Sequence, residues 1–217
     1  GEQRLLFYLW NHTFSYDAVA RAWTFHAPTV DPAGGPSEPR LMWGAMTASA
    51  SGDKVLLFGG ANVHSDAGTP GTWLYEPATT TWREVTGLAP PPRSYASLVT
   101  DPERNTALLF GGDTLDAQLA DTWTFDFATE TWTQHAPPVS PSPRAGHKLL
   151  YLPGAKATVL LGGWKQSSTT DYVADPYAPL PWELWRFDFA AHTWTLIKHF
   201  TEPTPTFAPS MTSAGEG

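Results

Sequence analysis

Residues 107–132 read ALLFGGDTLDAQLADTWTFDFATETW, and this stretch decides the fold. An apolar run, Ala107-Leu108-Leu109-Phe110, stops at Gly111-Gly112. Eleven positions beyond Gly112 stands Trp123-Thr124-Phe125-Asp126, alternating toward an acid, and Trp132 follows six residues after that acid. An apolar run ended by Gly-Gly and a second run ended by an acidic turn are two strands with their punctuation.

The same arrangement recurs along the chain. The aromatic-x-aromatic-acid element returns as Phe14-Ser15-Tyr16-Asp17 with Trp23, Trp73-Leu74-Tyr75-Glu76 with Trp82, and Trp185-Arg186-Phe187-Asp188 with Trp194. The six-residue gap from acid to Trp holds in all four copies. Upstream, Arg40, Arg93 and Arg144 each follow a proline and precede a Gly-Gly pair by 18 or 19 residues. Between Pro-Arg and Gly-Gly lies hairpin punctuation: Ser51-Gly52-Asp53, Asp101-Pro102-Glu103-Arg104-Asn105 and Leu152-Pro153-Gly154-Ala155. Each unit reads as strand, tight turn, strand ending in Gly-Gly, loop, strand, short turn, strand: four antiparallel strands in roughly 50 residues, one propeller blade.

Composition agrees. The 217 residues suffice for one sizeable domain, 41% are hydrophobic, and 11 Trp, 7 Tyr and 11 Phe supply large buried surface. With 21 Pro and 18 Gly the chain favours turns over long helices. A net charge of −8 argues against a nucleic-acid partner. The absence of Cys removes disulfides, thiolate metal sites and a cysteine nucleophile. No run reaches the length of an apolar membrane span. Gly1-Glu2-Gln3 is not a signal peptide, which reads as a processed or excised product. Sparse Lys, abundant Thr and Trp and no Cys would suit an exported, extracellular bacterial protein.

Gly-Gly, aromatic-x-aromatic-Asp and the following Trp together resemble the kelch repeat, over about Leu5 to Phe200. The resemblance implies an all-β, kelch-type β-propeller with about four blade-like repeats, a small or an incomplete ring. The expected units are residues 4–26, 39–86, 92–136 and 143–200 in a single domain, the first closed by an inner strand from residues 203–213. The first copy departs from the pattern, with no Gly-Gly and only Leu5-Leu6-Phe7-Tyr8-Leu9 before Phe14. Trp82, Trp132 and Trp194 are expected to fill the wedges between blades. The acid of each copy is expected to accept backbone N–H groups in the turn that follows.

One end of such a propeller collects the segments after each Gly-Gly, and variable loops on a rigid scaffold are where binding is usually found. The longest insertion carries Trp164, Lys165, Gln166, Asp171, Tyr172 and Asp175, residue types that stack on and hydrogen-bond a peptide or a sugar. His64, Asp66, Asp113 and Asp116 lie in two other loops of that face and could converge on a divalent cation. Loop acids are ordinarily just solvated, so no metal or cofactor is assigned. Arg40, Arg93 and Arg144 could form a guanidinium ring at the channel that recognises carboxylates, or each could pair with an acid or carbonyl nearby. His147 is read as structural. No Gly-x-Ser-x-Gly element, phosphate loop or dinucleotide fingerprint occurs, so no catalytic residue is assigned.

The resemblance implies a non-enzymatic binding or scaffold module for a protein partner. The alternative it leaves is a carbohydrate-binding or sugar-processing, mutarotase-like propeller. A copper-radical oxidase of the family type would need a Cys that this chain lacks.

Overall fold

Val55-Leu56-Leu57-Phe58, Ala107-Leu108-Leu109-Phe110 and Ala157-Thr158-Val159-Leu160 are buried at every position. A strand whose two faces are both buried must lie in a sheet packed on both sides, which is the situation of a blade between two others. The computed structural model describes residues 4–9, 12–27, 41–62, 71–114, 116–166, 177–179 and 182–200, and among them there is no helix.

Three sheets have four antiparallel strands in chain order. The second sheet is Ala45–Ala48, Val55–Phe58, Thr72–Glu76 and Thr81–Val85. The third is Ser97–Asp101, Thr106–Asp113, Gln118–Asp126 and Thr131–His135. The fourth is Lys148–Leu152, Ala157–Leu161, Trp182–Asp188 and Thr193–Phe200. The first sheet has three described strands, Arg4–Leu9, His12–Asp17 and Ala22–His26. The architecture is therefore the all-β, kelch-type propeller arrangement of about four blade-like repeats. The proposed closing segment, 203–213, lies outside the described residues.

Register follows the repeat. Trp132 faces Phe125, Trp82 faces Tyr75, Trp194 faces Phe187 and Trp23 faces Tyr16, each pair sharing one face of its sheet. The acid then caps the turn. Asp126 Oδ1 accepts the N–H groups of Ala128 and Thr129, and Asp17 and Asp188 do the same for their own turns. Four residues after each acid the backbone enters the left-handed region without glycine, at Arg21, Thr80, Glu130 and His192.

Adjacent sheets are joined by one device used three times. The indole N–H of Trp82 donates to Thr13 Oγ1 at 2.9 Å, that of Trp132 to Thr72 at 2.8 Å, and that of Trp194 to Thr122 at 2.9 Å. Each Trp sits on the last strand of one sheet and each Thr on the last but one described strand of the preceding sheet. Three apolar clusters fill the spaces between. Leu6 and Tyr8 pack on Tyr75 and Trp82, Phe58 on Trp132, and Phe110 on Trp194. Between the first strands of these neighbouring sheets, Thr47 and Thr100 hydroxyls meet at 2.9 Å and Ser97 Oγ accepts the Leu149 N–H at 3.1 Å.

Candidate functional site

The Gly-Gly pairs build the loop-bearing end. Gly111 has φ +56°, and a Cβ there would lie 2.6 Å from the Arg144 carbonyl oxygen. Gly112 N–H donates to that same oxygen at 2.9 Å, and Gly60 N–H donates to the Arg93 carbonyl at 2.9 Å. The glycines are thus required by the backbone of the next repeat, which passes too close for a side chain.

The two described arginines of the Pro-Arg elements are enclosed, with side chains 0% exposed. Arg93 donates to Asp121 through two nitrogens, at 2.5 and 2.7 Å, to the Gly111 carbonyl at 3.0 Å and to the Pro91 carbonyl at 2.9 Å. Arg144 makes the equivalent set with Glu183 at 2.8 Å, the Gly162 carbonyl at 3.0 Å and the Ser142 carbonyl at 3.0 Å. Burial raises the Glu183 carboxyl, but the Trp185 indole N–H and Arg144 outweigh it and hold it below the ordinary carboxylate range. Asp121 likewise accepts the Trp123 indole N–H at 2.7 Å. These carboxylates were not singled out from the sequence, although an acid two residues before Trp123 and Trp185 marks them. Arg40 lies outside the described residues, and its unit has Gly71 where the others have the acid.

Above these clamps the chain presents aromatic rings. Trp43 and Tyr95 occupy equivalent places at the approach to the innermost strand, and both have left-handed backbones, with φ +62° and +55°. Bulky residues rarely adopt that conformation, and where they do the surroundings must hold them. Here a backbone relay does so: Tyr95 N–H donates to the Trp43 carbonyl at 3.0 Å, and Gly146 N–H to the Tyr95 carbonyl at 2.9 Å. Trp43 stacks on Tyr95 with centroids 4.9 Å apart and planes at 24°. Tyr95 in turn meets Trp164 edge-on at 5.6 Å. In the fourth repeat the equivalent position is Gly146, with φ +63°, and a Cβ there would collide with the Trp164 indole. Trp164 thus takes the space that an aromatic at 146 would have filled. The result is a row of three rings running across three repeats, with Trp43 41% exposed.

Asp113 lies at the position after Gly-Gly that Trp164 fills in the next repeat, and it is bridged to Ser94. Its Oδ1 is buried without a hydrogen-bond partner, and burial raises its pKa to about 6. Asp116 is exposed in the same loop, and its N–H leans on Thr114. Lys165 is exposed beside Trp164. His64, Asp66, Asp171, Tyr172 and Asp175 lie outside the described residues, as does the side chain of Gln166. Among the described residues no three His, Asp or Glu gather as a metal site. The structure thus brings Trp164 together with Trp43 and Tyr95, two rings that sequence reading passed over. An aromatic two or three residues after Pro-Arg was the available signal, but only the three-dimensional path brings Trp43 onto Tyr95 and Tyr95 onto Trp164.

One arrangement resembles a nucleophile and its base: Ser15 Oγ lies 2.8 Å from His26 Nε2. The third sheet repeats it with Thr124 and His135 at 2.7 Å. A pair that recurs at the same register place in two sheets is a cross-strand contact.

The family model for the KLHDC2/KLHL20/DRC7 Kelch-repeats domain matches residues 8–216. The chain is similar to the putative adagio-like protein 2 of Oryza sativa subsp. japonica, 32% identical over 136 residues, which cover 60% of this chain and 21% of that protein. It is also similar to the Kelch domain-containing protein 2 of Bos taurus, 29% identical over 155 residues, covering 62% of this chain and 37% of that protein. The chain thus spans well under half the length of either relative. Repeat spacing, blade register and family match converge, and the chain belongs to the kelch-repeat family.

Proposed function

We propose that this chain is a protein-interaction module that binds a peptide segment of its partner across the row Trp43–Tyr95–Trp164. Membership of the kelch-repeat family supports an interaction or scaffold role in general. The observation that carries the finer reading is the ring row itself, held by strained backbone at Trp43 and Tyr95. Rigid aromatic surface gives contact area at small conformational cost, and Tyr and Trp dominate binding hot spots. The ring faces suit proline, aliphatic or cationic side chains, and the acidic chain favours the cationic ones. Residues 167–176, on which the carbohydrate alternative leans most, lie outside the described residues.

A displayed random-peptide library selected on the intact chain tests this reading. Selected peptides should lose about tenfold or more in affinity on Trp43→Ala or Trp164→Ala, by analogy with hot-spot truncations. Peptides that bind both variants as tightly as the parent would place the site elsewhere.

A further inference from the structure

The boundaries between successive sheets follow one plan, and the first departs from it in what fills the space. Between the second and third sheets, the residue after the turn acid is Phe127, which is buried, packs on Phe125 at 5.3 Å and joins Leu56 and Leu74 of the second sheet in one apolar cluster. Between the third and fourth sheets, Phe189 does the same, packing on Phe187 at 5.0 Å and joining Leu108. At the first boundary the residue after the acid is Pro77, and the apolar cluster there has no member at that place among the described residues. A pocket of about 640 Å³ opens between the first two sheets, and Pro77 lines it.

That volume lies in the range of small-molecule sites. Leu6, Met46 and Val55 contribute apolar wall, and no Lys, Arg, Asp or Glu is among the described residues that line the pocket. Its polar groups are placed together. Ser15 Oγ and His26 Nε2 lie 2.8 Å apart, and the Tyr75 ring meets the His26 ring at 6.2 Å. Tyr75 stands at the register place that Phe125 and Phe187 hold in the next two sheets, so its hydroxyl belongs to this boundary in particular. Tyr75 is 1% exposed, and its hydroxyl is buried without a hydrogen-bond partner. A buried hydroxyl left unpaired destabilises a fold, and bulk water does not satisfy this one. Two exchanges, Phe to Pro at 77 and Phe to Tyr at 75, thus turn a filled apolar wedge into an open one with a hydrogen-bonding group in its wall.

We propose that this pocket binds a planar, uncharged aromatic molecule carrying a hydroxyl or carbonyl oxygen. Its ring system takes the place that the Phe127 and Phe189 rings hold at the other boundaries, and its oxygen pairs with the Tyr75 hydroxyl beside Ser15 and His26. Apolar cavities of proteins accept aromatic rings in this way. A fourth strand of the first sheet does not compete for the place. Such a strand would pair beside Arg4–Leu9, and at the boundaries that have all four strands on both sides the same place is filled by a ring from the later sheet's own turn.

Equilibrium dialysis of the intact chain against naphthol and against naphthalene tests this. Naphthol is expected to bind with a dissociation constant of about 100 μM or below. Naphthalene, which lacks the oxygen, should bind about fivefold more weakly, the ordinary size of one neutral hydrogen bond. Pro77→Phe restores the ring of the other boundaries; it should weaken both ligands by about tenfold or more while melting no lower than the parent. Tyr75→Phe should bring naphthol down to the affinity of naphthalene and leave naphthalene unchanged, a pattern that adsorption to exposed rings elsewhere does not produce. The Tyr75→Phe comparison decides the matter if Pro77→Phe does not fold. No binding of naphthol at about 1 mM would overturn the proposal, as would affinities unmoved by a folded Pro77→Phe chain or equal losses of both ligands on Tyr75→Phe.

Discussion

The indole N–H of Trp132 donates to the hydroxyl of Thr72 at 2.8 Å, across the boundary between the second and third sheets and out of contact with water. The two residues are 60 positions apart in the chain, so the bond reports on the packing of whole sheets. Trp132→Phe keeps most of the ring but leaves a buried hydroxyl unpaired, which should cost about 1–3 kcal/mol. Thr72→Val should cost a similar amount, and the double variant less than the sum, as expected for partners in contact. Urea unfolding of the four proteins measures this, and strict additivity would mean that the bond contributes nothing.

Glycine is required at Gly111 by a neighbour and at Gly52 only by its own backbone. Both have positive φ, but a Cβ at Gly52 meets nothing within 4 Å, whereas at Gly111 it meets the Arg144 carbonyl oxygen at 2.6 Å. Gly52→Ala should cost about 1 kcal/mol, the ordinary cost of a left-handed non-glycine residue. Gly111→Ala should cost clearly more, because the third and fourth sheets must separate to admit it. Equal melting temperatures for the two variants would contradict this account.

Two buried groups give opposite pH dependences. Burial, with Arg144 and Lys148 adding to it, lowers the His147 pKa from 6.5 to about 3. Between those values the unfolded chain binds a proton that the folded chain does not, so this contribution falls as pH drops from 6.5 toward 3. Asp113 works the other way: its folded pKa of about 6 exceeds the ordinary 3.8, so its contribution falls as pH rises through that window. His147→Asn should flatten the acid-side loss of stability. Asp113→Asn should gain stability over the parent above pH 6, with the gain vanishing below about pH 4. Denaturation curves from pH 3.5 to 8 decide the matter, and variants that run parallel to the parent would refute both assignments.

A pocket of about 640 Å³ lies between the first and second sheets, lined by Leu5, Leu6, Ser15 and His26 on one side and by Met46, Thr47 and Ala48 on the other. The first sheet has three described strands against four in the others, and a fourth strand would pair beside Arg4–Leu9. Residues 203–213 are proposed to supply that strand. Deleting 203–217 should then lower the melting temperature by several degrees, and an unchanged melting curve would remove the segment from the fold.

Much of this architecture is legible in the sequence because propeller blades are written as local punctuation. The apolar run before Gly111, the alternation of Trp123 and Phe125, and the Asp126 turn each declare a strand or its end without reference to distant residues. The wedge role of Trp132 and its equivalents follows from the same spacing. The candidate site was harder to read, because its parts are contributed by different repeats. Trp43 and Tyr95 carry no local sign that their backbones turn left-handed, and Arg21, Thr80, Glu130 and His192 enter that region without the glycine or asparagine that would announce it. Asp121 and Glu183 acquire meaning only once Arg93 and Arg144 are seen folding back on them.

The Gly-Gly contact also bears on how stability is distributed along the chain. Gly112 is completed by the carbonyl of Arg144, and Gly60 by that of Arg93, so part of the backbone pairing of these repeats is held by the repeat that follows. Cooperativity in such an array is set by nearest-neighbour coupling, as in a one-dimensional chain of linked units. Opening is then expected to begin at the first sheet, where Trp23 is 62% exposed, and to travel from there one boundary at a time. Amide exchange should follow that gradient, fastest around Ser15 and Thr24 and slowest around Leu108 and Leu109, which have a packed sheet on either side.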